Sequence, residues 1–168
     1  MNYYESVVVD YLRADRALFV NTECCIQLNE SDNPDTSGPH WYCDAVVCDL
    51  GSQQVFLVEI SYNANIGGWE GGLIKRLRSW NENWLDLRGA LVRDCCVPSE
   101  WPVRPWLFVP EERVAALLGY LERIKAERTL AFCPRITPLE MVQPWRYLSW
   151  NRKGEKQKPE SIPVEMHS

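Results

Sequence analysis

Residues 41–61, WYCDAVVCDLGSQQVFLVEIS, read as two apolar strands joined by a tight turn at Gly51-Ser52. The first is rich in Val and Cys and the second in Val, Phe, Leu and Ile, with β-formers in both. With Gly51 and Ser52 at the centre of the turn, positions whose numbers sum to 103 lie directly opposite. Asp44 then faces Glu59. Side chains alternate along a strand, so Asp44, Glu59 and Ser61 project from one face. Two carboxylates opposed among apolar strand residues are expensive to bury without a partner. A divalent cation is one such partner. The alternatives are that one acid lies at a wet strand end or pairs with an arginine.

The 168 residues suffice for one domain with a tail, and 46% apolar with 24% charged residues is ordinary for a globular protein. No run of about 18 apolar residues is present, so no membrane span is expected. The N-terminus, MNYYESVVVD, lacks the basic region of a secretory signal. Seven cysteines, an odd number with two CC pairs and no CxxC, argue against a disulfide framework or a zinc site. Reduced thiols in a cytoplasmic protein are expected. Two histidines supply a histidine-based metal site or triad poorly. The net charge of −5 argues against a generic nucleic-acid coat protein and leaves a nucleic-acid enzyme open. Most of the eight tryptophans are expected in the core, and exposed ones could stack on bases.

Working outward from the hairpin, residues 3–14 place Tyr4, Val7, Val8, Tyr11 and Leu12 on one helical stripe, with Glu5 at its edge in the first turn. Alternation from Leu18 to Leu28 predicts a strand. A polar Pro/Gly/Asn/Asp loop, NESDNPDTSGPH, follows and ends at His40, whose place in a loop points to no catalytic role. After Ser61 a Gly-rich connection lacks any phosphate-loop pattern. A helix is expected over 73–93, with Leu73, Leu77, Trp80, Trp84, Leu87 and Leu91 as its stripe. Lys75, Arg76 and Arg78 sit in its opening turns. At about 100° per residue Arg76 lies nearer the buried stripe, and Lys75 points away. A buried strand over 105–110, a helix opened by Pro110-Glu111-Glu112 and a last strand over 128–136 complete the order. Residues 1–150 form a single α/β domain with a mixed central sheet flanked by helices, and residues 151–168 a polar tail.

In this order of elements the chain resembles the PD-(D/E)XK nuclease superfamily, whose restriction-endonuclease-like core runs αβββαβ. The matching pieces are YYES on the first helix, CDAVVCDL and VFLVEIS on the hairpin, and the basic helix after it. The resemblance implies metal-dependent hydrolysis of phosphodiester bonds in DNA, internally or from an end, with Mg²⁺ or Mn²⁺ as cofactor. It implies Asp44, Glu59 and the Ile60 carbonyl as metal ligands and Glu5 as an auxiliary catalytic acid. Lys75, Arg76 and Arg78 would contact backbone phosphates. A homodimer or a protein partner is compatible with it, and no membrane is involved. The departure is Ser61, where the superfamily usually has lysine. A serine cannot supply a positive charge, so Lys75 and Arg76 become candidates for that role. The missing lysine also fits a domain that kept the fold, lost cleavage and binds nucleic acid or a protein.

Overall fold

The computed structural model describes residues 2–28, 40–62, 72–147 and 149. The expected loop after Leu28, the Gly-rich connection after Tyr62 and the expected tail lie outside them. The elements are α1 (Tyr3–Arg13), β1 (Leu18–Gln27), β2 (His40–Asp49), β3 (Gln54–Ile60), α2 (Leu73–Glu82), α3 (Trp84–Cys95), β4 (Val103–Val109), α4 (Glu111–Glu127) and β5 (Arg135–Pro138), followed by 3-10 turns at Leu139–Val142 and Pro144–Arg146. The strands form one sheet in the order β1-β2-β3-β4-β5. The first three pair antiparallel, and β3, β4 and β5 pair parallel. This is a mixed α/β sheet flanked by helices.

The β2–β3 hairpin has the expected register: Ala45 pairs with Val58, Val47 with Phe56 and Asp49 with Gln54. The turn itself is longer than expected. Residues 50–53 all lie between the last pair, and the Asp49 carboxylate closes them by accepting from the Gly51 and Ser52 amides at 2.9 and 3.1 Å. The loop is centred on the same two residues, so lengthening it leaves the register intact. Gln53 takes up the left-handed backbone conformation, at φ 54°.

The sheet buries both faces. Val7, Val8, Tyr11 and Leu12 of α1 pack with Val47, Phe56, Val58, Trp106 and Phe108 on one side. The stripe from Leu73 to Leu91 packs with α4 and with Val55, Leu57 and Leu107 on the other. That apolar packing is the main source of the fold's stability. A buried hydrogen bond ties β4 to β5, from Trp106 Nε1 to Thr137 Oγ1 at 2.9 Å.

Three expectations of the sequence require correction. The helix over 73–93 is two helices, broken at Asn83 (φ −108°, ψ 18°), whose side chain donates back to the Ser79 carbonyl at 2.9 Å. An asparagine that offers the backbone a local partner competes with the helical ladder. The last strand begins only at Arg135, after Pro134, because proline cannot donate to a ladder. Tyr4 leaves the α1 stripe and is exposed, with its ring stacked on Tyr62 at 4.7 Å.

Candidate active site

Among the described residues, the C-terminal end of β3 is where the acids gather. One residue before that end, Glu59 is only 6% exposed, and a buried polar residue is otherwise rare in this core. Asp44 lies on the neighbouring strand, and its Oδ2 accepts from the Ile60 amide at 2.7 Å. The strand changes its facing here: Cys43 packs with the α2–α4 side and Ala45 with the α1 side. Asp44 sits at the change.

A cleft of about 250 Å³ opens at this point, lined by Glu5, Asp44, Ile60 and Arg76 together with Val9, Thr22, Tyr42 and Cys43. Glu59 is not on its wall. Arg76, which is, donates through Nη1 to Glu59 Oε1. The sequence left this arginine partnership open as an alternative, and the structure realises it. The pair does not satisfy the carboxyl, because Glu59 Oε2 is buried with no hydrogen-bond partner among the described residues. Burial, then the Asp44 charge, push the Glu59 carboxyl up to about 8 against the pull of Arg76. Burial also raises Asp44, which the Ile60 amide and Arg76 pull back down. Ionised, Glu59 keeps one oxygen uncompensated; protonated, it lacks an acceptor for its proton on Oε2. The described residues alone satisfy neither state.

Glu5 faces the same cleft and has a second task. It forms a capping box with Asn2: Glu5 Oε2 accepts from the Asn2 amide at 2.9 Å, and the Glu5 amide donates to Asn2 Oδ1 at 3.0 Å. Its other oxygen accepts from Asn2 Nδ2 at 2.6 Å. Glu5 is therefore near Asp44 and engaged in starting α1.

The basic residues divide. Arg76 alone of the three reaches the acids. Lys75 and Arg78 line a different groove with Tyr120, Arg123 and Glu127, and Arg78 is paired with Glu127. The structure thus does not bring Lys75 or Arg78 to the cleft, in keeping with the helical angle of Lys75. Ser61 follows β3 and donates its amide to the Phe108 carbonyl at 2.9 Å. His40 begins β2 opposite Gln27 and packs edge-on against Tyr42 of the cleft wall without lining the cleft itself. None of the seven cysteines is in a disulfide. No helix among the described residues is long and apolar enough to cross a membrane.

The donor set tests a cation directly. Two carboxylates and a backbone carbonyl are hard oxygen donors, suited to Mg²⁺ or Mn²⁺ with water completing the shell. The partnerless Glu59 Oε2 fits such an ion. Among the described residues, no group of three or more His, Cys, Asp or Glu side chains is arranged to hold a metal. Sequence reasoning missed Tyr62 beside this site, because an isolated aromatic after a strand carries no periodic signal. No protein-family model matches the chain, and comparison with curated proteins and with solved structures gives no match.

Proposed function

We propose that this chain is a restriction-endonuclease-like, metal-dependent nuclease that hydrolyses phosphodiester bonds in DNA, with the β2–β3 hairpin as its metal cradle. The observation that carries the reading is the buried, partnerless Glu59 Oε2 beside Asp44. Asp44, Glu59 and the Ile60 carbonyl would hold the ion. When bound, it would supply Lewis-acid activation of a water and neutralise charge on the scissile phosphate. Asp44 is held by the Ile60 amide, so its orientation is set before any ligand arrives. Arg76, half-exposed at the cleft and already paired to Glu59, is the residue placed to stand in for the lysine absent at Ser61. It would offer its guanidinium to a phosphate oxygen, a planar fork well matched to that group. Lys75 and Arg78 would meet the backbone farther out, if the duplex or strand extends along α2.

A second reading is favoured by the Arg76–Glu59 pair itself. A guanidinium that has taken over the role of the cation would leave a nuclease fold that binds nucleic acid, or a protein, without cutting. A cleavage assay on plasmid and single-stranded DNA with Mn²⁺ separates the two. The nuclease reading expects cleavage by the wild type, lost in Asp44→Asn and in Glu59→Gln. No cleavage of either substrate, or cleavage that survives Asp44→Asn, rejects it.

A further inference from the structure

We infer that the aromatic groove beside the acid cleft is a subsite for unpaired nucleic-acid bases, so that the strand this protein acts on is single-stranded or frayed. The inference rests on the nuclease reading for what happens next door, and on its own geometry for what the groove binds. The groove encloses about 520 Å³, within the range of about 300–1,000 Å³ of small-molecule sites. Tyr4 and Tyr62 form one wall, their rings stacked at 4.7 Å and only 13° from parallel. Trp145, 64% exposed, lines the groove with them, and Tyr62 is 45% exposed. A soluble surface seldom gathers this much aromatic area in one place without a use for it.

The two sites adjoin. Tyr4 precedes the cleft residue Glu5, and Tyr62 follows Ile60 by two positions. Asn2, which holds Glu5 through the capping box, also donates to the Tyr62 hydroxyl at 3.2 Å. A strand lying across the cleft with its phosphate at Arg76 would therefore carry its neighbouring bases over the tyrosine pair. Every base has a ring face to stack, whereas a duplex hides its faces between neighbouring pairs. Arg146 and Gln143 give polar contacts at the groove, but Glu112 and Glu140 line it too. Those two carboxylates oppose phosphates, so recognition in the groove depends on ring faces and its binding falls only shallowly with salt.

Fluorescence anisotropy in EDTA, using the full chain, a labelled oligo-dT and the matched duplex, tests this without any turnover. Single-strand binding tighter than duplex binding is expected. Trp145→Ala and Tyr62→Ala should each weaken it roughly 5- to 150-fold, the equivalent of one lost stack, while Trp145→Phe keeps most of it. Thermal melts check that the variants fold. Equal affinity for duplex, no binding of the oligonucleotide, or wild-type affinity in both alanine variants overturns the subsite. Mn²⁺ uptake and cleavage, measured separately with Asp44→Asn, report on the nuclease reading. A wild type that neither takes up Mn²⁺ nor cleaves, with aromatic-dependent binding intact, would reject that reading and keep the groove; cleavage abolished by Asp44→Asn without aromatic-dependent binding would reject the groove alone.

Discussion

Arg76, in the first turn of α2, donates to one oxygen of Glu59 on β3 and leaves the other oxygen of that carboxylate buried without a partner among the described residues. The site is thus half-compensated from within. Its remaining demand for positive charge has a defined address, and the basic residues near it are not equivalent. Removing Arg76 takes away the only described side chain that pairs with Glu59. Arg76→Ala should lower cleavage by roughly 10²-fold or more, the scale seen when one preorganised charge-stabilising donor is removed. Lys75→Ala should leave kcat at the wild-type level and raise only KM, because Lys75 lines another groove away from the cleft acids. Steady-state cleavage of the two variants side by side checks the contrast; equal losses would refute it.

The pH dependence has a determined sign. Glu59 is raised from an ordinary 4.5 to about 8, so the folded state holds its proton more tightly than the unfolded chain does. Its contribution to stability is fully present below 4.5 and is lost as pH rises through about 8. Asp44, raised in the same direction, adds to this trend from its own lower starting point. Thermal melts without metal should therefore show Tm falling between about pH 5 and about pH 8, with a visibly shallower fall in Glu59→Gln. Mn²⁺ affinity should move the opposite way, rising with pH through about 8 and levelling off above it, because binding displaces the proton from Glu59.

Glu5 can be assigned by a pair of substitutions. Asn2→Ala removes the cap of α1 and should destabilise the fold by about 0.5–2 kcal/mol, read as a lower denaturant midpoint. Glu5→Gln keeps one oxygen able to accept from the Asn2 amide and removes the charge together with the acceptor for Asn2 Nδ2. It should leave the midpoint near wild type. Should it also leave Mn²⁺ affinity unchanged while slowing cleavage, Glu5 acts as an auxiliary acid and not as a ligand.

The hairpin was legible because its signal is local. Alternation and a symmetric turn set the Ala45–Val58 register, and an Asp49-closed loop of four residues preserves it as well as a two-residue turn does. The helical stripe over Leu73–Leu91 was legible too, since every one of its six large residues is buried. The break at Asn83 was not, because it depends on one side chain turning back to the Ser79 carbonyl, which periodicity cannot register. The acids were singled out by spacing, and the helical angle placed Arg76 nearer the buried stripe than Lys75. That Glu59 would be covered by Arg76, and that Tyr4 would leave its stripe to stack on Tyr62, depend on contacts between distant segments. Such contacts are fixed by tertiary packing and leave no pattern in the chain.

The central claim is that the β2–β3 hairpin binds a divalent cation between Asp44 and Glu59. Isothermal titration of Mn²⁺ into the full chain near pH 8, where Glu59 is substantially ionised, tests it most directly. A saturable isotherm of one ion per chain, abolished in both Asp44→Asn and Glu59→Gln while each variant still melts cooperatively, is the expected result. No saturable heat in the wild type, or an isotherm that survives both substitutions, would contradict it.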